Sequence, residues 1–236
     1  QRQMCIRDSN KTTTVSISTL IAPEKARNAF EKANDALVGP DPDLKKALKE
    51  LKKAVKHYPA YSAAWDLMGR VQLSQGNRKE GRDCFLRAIK EEPGFIPPYA
   101  GVAQMAFQDS DWEETSAWSL KVLELDERYP QALYWHGLAA FYLRNFEDSE
   151  KSLSSLYTTE GHYKSYPFGL LPLGVVHANM GNLEAAAEEF GLYLELMPET
   201  RVPEMQRKEL EEQIAAWKSQ GLISSSPSGP GPTESP

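Results

Sequence analysis

The feature that most constrains this chain is a pattern that returns every 34 residues. Trp65-x-x-Met68-Gly69 is followed 34 residues on by Tyr99-x-x-Val102-Ala103, and again by Leu133-x-x-His136-Gly137. A fourth copy, Leu170-x-x-Leu173-Gly174, arrives after 37, so three residues are inserted before it. Gly76-Asn77 and Gly181-Asn182 recur in the same register. A fixed period of this length means one small supersecondary unit made several times over, each copy burying its apolar face only against its neighbours. The 236 residues therefore need not divide into ordinary globular domains.

Inside each period the apolar residues fall at helical spacing. Pro23 opens a helix at a favourable first-turn position, with Ala26, Phe30, Ala33 and Leu37 as its apolar stripe. Gly39-Pro40-Asp41-Pro42-Asp43 stops it and caps the next, over 44–57, whose apolar face carries Ala47, Leu51 and Ala54. The unit at 62–95 matches the pattern best, with Trp65, Gly69, Phe85, Ala88 and Pro93 in their slots. In the unit at 96–129, Thr115 stands where a smaller residue is usual and Ser119 where an aromatic is, so that interface is expected to pack less tightly. The unit at 130–163 carries Gly137, Ala140, Phe146 and Leu153, and its tail, 157–166, holds the insertion. The unit at 167–200 recovers the pattern with Gly174, Leu183, Ala186, Phe190 and Pro198. Gly69, Gly137 and Gly174 fall in mid-helix, where glycine costs about 1 kcal/mol against alanine. Such a glycine lets another backbone approach, and Ala88 and Ala186 are the partner positions expected. Residues 201–220 read as one further helix with Met205, Leu210, Ile214 and Trp217 for packing.

Taken together, residues 23–220 resemble the tetratricopeptide repeat, on the W-x-x-L-G core and the A-x-x-x-F-x-x-A-x-x-x-x-P second half recurring in register. The fold implied is all-α, a right-handed superhelical solenoid of five helix-turn-helix repeats with a C-terminal capping helix, over 22–220. More loosely, 15–30 (VSISTLIAPEKARNAF) resembles the lead-in of bacterial exported repeat proteins in which a β-sandwich precedes the repeats. That resemblance implies an exported or periplasmic setting and a larger protein whose N-terminal part carries an enzymatic or carbohydrate-binding domain. The leading expectation is a non-enzymatic scaffold that binds a peptide or protein segment in a concave groove.

The family's groove slots, carried onto this chain, fall on Asp66, Arg70 and Leu73, then Ala100, Gln104 and Phe107. They continue with Tyr134, Leu138, Phe141 and Tyr142, then Leu171, Val175, Ala178 and Asn179. The aromatic half suits anchoring of a partner's apolar side chains, or else packs on neighbouring helices. Arg70 is the one cation in these slots, which does not match the basic clamp that repeat domains use for a C-terminal carboxylate.

Other candidates read as structure. Lys45, Lys49, Lys52 and Lys56 form a stripe, with Lys46 and Lys53 beside it. An anionic surface would fit it, but a solvated outer helix face is the favoured reading. His57, His136, His162 and His177 lack metal-ligand spacing, and no nucleophile elbow, P-loop or dinucleotide fingerprint occurs. No cofactor, metal or catalytic constellation is expected. Two cysteines give no framework, and Cys84 is expected to be a small, partly buried core residue. A net charge of -6 argues against nucleic acid as a partner. No apolar run approaches the ~18 residues of a membrane span.

The ends differ from the middle. Residues 1–9 (QRQMCIRDS) resemble a translated sequencing-adapter string and are set aside, with the natural start expected upstream. Residues 10–21 are expected to be an irregular leader, although Val15, Ile17 and Thr19 alternate with Ser16 and Ser18 as in a strand. Residues 221–236 are Ser, Pro and Gly-rich and are expected to be disordered.

Overall fold

The computed structural model describes residues 6–8, 11–13, 15–158, 162–198 and 201–224, the first two segments by backbone alone. The tail from 225 onward and most of the first ten residues lie outside the described residues. Two short strands, β1 (Ile6–Asp8) and β2 (Lys11–Thr13), pair antiparallel with Ile6 opposite Thr13. Every later element is helical: α1 (Ile17–Ile21), α2 (Glu24–Leu37), α3 (Leu44–His57), α4 (Ser62–Ser74), α5 (Arg78–Glu91), α6 (Ile96–Gln108), α7 (Trp112–Leu125), α8 (Pro130–Tyr142), α9 (Phe146–Tyr157), α10 (His162–Ser165), a 3-10 turn (Pro167–Gly169), α11 (Leu170–Asn179), α12 (Leu183–Leu196) and α13 (Glu204–Ser219).

The helices pack as consecutive pairs: α2 with α3, α4 with α5, α6 with α7, α8 with α9, and α11 with α12, followed by α13 on α12. They fall into two units, 1–127 with the first three pairs and 128–236 with the last two and α13.

Close approach within a pair depends on the mid-helix glycines. A Cβ on Gly69 would lie 2.7 Å from Phe85 Cε1 and 3.0 Å from the Gly81 carbonyl oxygen. A Cβ on Gly137 would lie 2.6 Å from Leu153 Cγ, and one on Gly174 would lie 2.6 Å from Phe190 Cδ1. The partners are thus the large side chains of the second helix, not Ala88 and Ala186 as expected from spacing. Ala88 and Ala186 are fully buried elsewhere in the interface. Phe85 also reaches the following repeat, since a Cβ on Gly101 would lie 2.7 Å from its Cζ.

The repeat's leading aromatic has a polar task as well as a packing one. Trp65 Nε1 donates to the Pro59 carbonyl at 2.8 Å, and Tyr99 OH donates to the Pro93 carbonyl at 2.9 Å. Each ring therefore ties its repeat to the closing proline of the one before, donating to a carbonyl acceptor beyond the ended helix.

The turn inside each pair repeats too. Gly76 and Gly181 both have φ +81°, and the same slot is held by Ser110 at φ 56° and Arg144 at φ 60°. In each case the next N–H bonds back to a carbonyl five residues earlier, as Asn77 does to Gln72 at 2.9 Å and Asn145 to Ala140 at 2.8 Å. This left-handed closure suits glycine and strains other residues. Asp111, Asn145 and Asn182 then cap the second helix with their side chains.

The third pair keeps both of its substituted positions inside. Thr115 and Ser119 are both fully buried, and Thr115 Oγ1 donates to the Asp111 carbonyl at 2.6 Å. The aromatic volume has moved one position: Trp118 packs beside Tyr99 at 6.1 Å. What the substitution leaves is a buried Ser119 hydroxyl with no partner among the described residues.

Two terminal expectations change. Residues 17–21 form a helix, not an irregular or strand segment. Its first turn is held by the Glu92 carboxylate, which accepts from Ile17 N at 2.7 Å and Ser18 N at 3.3 Å and also pairs with the Ser16 hydroxyl. Ser18 Oγ accepts from Ser62 N at 3.0 Å. The polar side of the alternation faces the array, because Ser16 and Ser18 are buried while Val15 and Ile17 are exposed. At the other end, 221–224 is placed: Ile223 is buried and Ser224 N donates to Glu184 at 3.2 Å.

Three substitutions test this account. Gly69→Leu is expected to destabilise by about 1–3 kcal/mol or more through overpacking against Phe85, whereas Lys49→Ala on the exposed face of α3 stays within ~0.5 kcal/mol. Urea melts with equal midpoints and m-values for the two would contradict it. Arg144→Gly is expected to raise stability by roughly 0.5–1 kcal/mol, relief of left-handed strain exceeding glycine's added chain entropy. A lowered melting midpoint would show that the turn is not strained.

Candidate functional site

The positions carried over from the repeat family fall on the first helix of each pair, and the structure sorts them into surface and interior. In the first unit, Asp66 is buried at 7% exposure. Its Oδ2 accepts from Arg70 Nε at 2.9 Å, one turn on, and its Oδ1 is buried without a partner among the described residues. Burial pushes the Asp66 carboxyl up, and Arg70 draws it back down. Arg70 is exposed and so is Gln104, while Ala100 is buried. Leu73 is half-buried, packed on the Phe85 cluster and against the backbone of Gly81. Phe107 is half-buried, edge-on to Trp112 at 5.9 Å. The polar half of the expected surface is therefore carried by Arg70 and Gln104, with Asp66 beneath as the group that orients the guanidinium.

In the second unit, α8 supplies Tyr134, Leu138, Phe141 and Tyr142. Leu138 is buried and belongs to the interior, not to a surface groove. Tyr142 is 55% exposed. Phe141 is half-buried between Tyr142 at 5.6 Å and Phe146 at 6.2 Å. Tyr134 is half-buried beneath Tyr166, ring centres 5.3 Å apart. Burial, then the neighbouring Tyr142 and Tyr166, push its phenol up to about 12, so it stays a neutral donor. On α11, Leu171 and Val175 are half-buried in the cluster around Phe190 and Trp217. Asn179 is exposed, with its Nδ2 bonded to the Val175 carbonyl at 2.7 Å.

The insertion adds residues that the repeat pattern does not predict. Tyr166 ends it, and Phe168, in the 3-10 turn that follows, is 46% exposed. The segment is pinned to α9: Tyr157 OH donates to the Tyr166 carbonyl at 2.7 Å, and Gly169 leaves room for the Tyr157 ring. His162 packs edge-on to Tyr166 at 6.2 Å. The extra three residues in the period were the one available sign of this.

The remaining titratable groups are bound into the packing. His136 is buried with Nδ1 2.8 Å from Ser152 Oγ, and burial lowers its pKa. His177 lies between Glu189 at 2.9 Å and Glu150 at 3.7 Å, joining α9, α11 and α12. Burial pushes the Glu189 carboxyl up to about 7, partly opposed by the hydrogen bond with His177. Burial likewise raises the Cys84 thiol to about 11, so the buried sulfur is a packing group. The lysines of α3 are exposed, with Lys53 paired to Glu50 at 2.6 Å. Among the described residues no helix is long and apolar enough to cross a membrane.

No family model matches the chain, and no curated protein matches it significantly. Solved structures do. A tetratricopeptide repeat protein from Parabacteroides merdae is similar over 85% of this chain and 77% of its own, at 20% identity and TM-score 0.64. MamA from Desulfovibrio magneticus aligns over 74% of this chain and 96% of its own, at 17% identity and TM-score 0.61. YrrB, described as a tetratricopeptide repeat protein with an unusual peptide-binding site, aligns over 79% and 92%, at 17% identity and TM-score 0.61. The fold of this chain is the tetratricopeptide-repeat fold.

The raised Glu189 pKa fixes the sign of a pH effect. A carboxyl that binds its proton more tightly when folded contributes its full stability below about 4.5, and loses it as pH rises through about 7. Glu189→Gln removes this dependence. The stability of the parent relative to the variant is expected to fall by at most about 3 kcal/mol across that window. Parallel denaturant curves for the two across these pH values would contradict it.

Proposed function

We propose that this chain is a non-enzymatic scaffold that holds a peptide or protein segment against the first helices of its repeats. The observation that carries the reading is the aromatic surface of the second unit. Tyr142 stands 55% exposed against half-buried Phe141, and Phe168, in the 3-10 turn before α11, is 46% exposed. Exposed rings cost solvation and gain it back when a partner's apolar side chain covers them, and anchors of this kind carry much of an interface's affinity. Tyr134 of α8 and Tyr166 add a further pair of packed rings, centres 5.3 Å apart. In the first unit Arg70 and Gln104 supply hydrogen bonds, which set orientation more than affinity. The likeness to YrrB, described with a peptide-binding site, supports the same class of partner. A segment held this way needs no cofactor or metal.

A second reading makes the array the interaction arm of a larger exported protein. The apolar side of α1 favours it, since Leu20 and Ile21 are 65% and 66% exposed and a preceding domain would cover them. The reading frame upstream of residue 10 tests it directly.

The scaffold reading is tested by recovering a partner from a native lysate and titrating it against Tyr142→Ala and Phe168→Ala. Both side chains are exposed, so circular dichroism should show intact helices. Each variant is expected to lose about 1–2 kcal/mol of binding, roughly five- to thirtyfold. Unchanged affinity in both folded variants would rule the aromatic surface out as the site.

A further inference from the structure

The insertion that breaks the 34-residue period also borders a cavity of about 890 Å³ in the second unit. Tyr163 and Lys164 of α10 line it, together with Leu192 and Leu196 of α12 and Ile214 of α13. Cavities of this size with mostly apolar walls and a few polar groups are typical of occupied sites. One lining residue stands out. Gly191 lies in the middle of α12, and a Cβ there would meet nothing within 4 Å. The glycines at 69, 137 and 174 are each pressed by a neighbouring side chain. Glycine weakens a helix relative to alanine, and at 191 no neighbour among the described residues requires it. Ala187, four residues earlier on the same face, is small as well and also lines the cavity. Around this bare strip the exposed lining carboxylates are Glu184, Glu188 and Glu195, against two ammonium groups, Lys164 and Lys218, while Glu189 is held by His177.

We propose that this face of α12 seats a short basic amphipathic helix of a partner protein. The small residues at 187 and 191 let a second helix come close, because interaxial distance follows the side chains at the contact. Leu192 and Leu196 cover the apolar stripe of the incoming helix. Glu188 and Glu195, both exposed, meet lysines or arginines at its flanks and disfavour acidic segments by like-charge repulsion. The site is separate from Tyr142, which does not line the cavity, and it does not depend on the aromatic surface being used.

The test uses the full chain and a fluorescent Leu/Lys peptide of roughly four helical turns, read by anisotropy at about 0.15 M ionic strength. A Leu/Glu peptide of the same pattern is the control. The Leu/Lys peptide is expected to saturate one site and to bind at least about tenfold more tightly than its Leu/Glu counterpart. Gly191→Leu points into open space, so the fold is retained, and it is expected to weaken binding about tenfold or more by filling the seat. The pair Glu188→Lys and Glu195→Lys is expected to do the same, while Tyr142→Ala leaves the affinity unchanged. The pair Glu113→Lys and Glu147→Lys makes the same charge change at exposed positions outside the cavity. The proposal is overturned if Gly191→Leu binds as tightly as the parent. Equal affinity for the two peptides, or equal weakening by the remote charge pair, would also overturn it.

Discussion

The ring of Phe85 against glycine backbone is the contact on which the architecture rests. One side chain, 1% exposed, lies on Gly69 of its own repeat and on Gly101 of the next, at separations that leave no room for a Cβ on either. It sets both the spacing within a pair and the spacing to the following pair. Leu153 on Gly137 and Phe190 on Gly174 repeat the first half of this arrangement in the second unit. A mid-helix glycine costs about 1 kcal/mol of helix propensity, and burial of the facing side chain, worth roughly 1.5–3 kcal/mol, offsets it.

Polar ties hold the repeats in order around these contacts. The Trp65 and Tyr99 donors reach the backbone carbonyls of Pro59 and Pro93, which ties the leading aromatic of one repeat to the end of the repeat before it. Glu92 lies at the same junction and holds the first turn of α1 instead. The end of one repeat thus serves as the acceptor surface for whatever chain segment comes next to it. Where the period is broken, that junction is rebuilt. The insertion replaces the closing proline with α10 and a 3-10 turn, pinned by the hydroxyl of Tyr157. It brings Tyr166 onto Tyr134, and Phe168 follows it at the surface. The departure from the repeat is therefore where the candidate binding surface differs most from a generic array.

Much of this was legible from residues alone, and the exceptions share a cause. The pairs, their order and the left-handed turns at Gly76 and Gly181 follow from a period and from glycine's freedom at positive φ. Ser110 and Arg144 adopt the same turn without glycine, because register, not residue type, imposed it. Leu138 and Asp66 sit at groove positions in the pattern yet are buried. Position in a repeat gives the direction of a side chain, but not what lies above it. The alternation around Ser16 and Ser18 separated two sides, but the element is a helix and the polar side is the buried one. A carboxylate 74 to 76 residues away captured the first-turn N–H groups and made a helix of it.

By itself the sequence determined the repeat, the helix pairs and the five-fold iteration with a final capping helix. These are local properties: spacing, propensity and capping act over a few residues and recur with the period. The tertiary structure alone decided which large side chain meets which glycine, which groove positions reach the surface, and that the insertion folds back as a ring-bearing wall. It alone left Gly191 facing open space. Those outcomes depend on contacts between residues distant in the chain, where the volume and hydrogen-bonding needs of the neighbours outweigh the preference of any single residue.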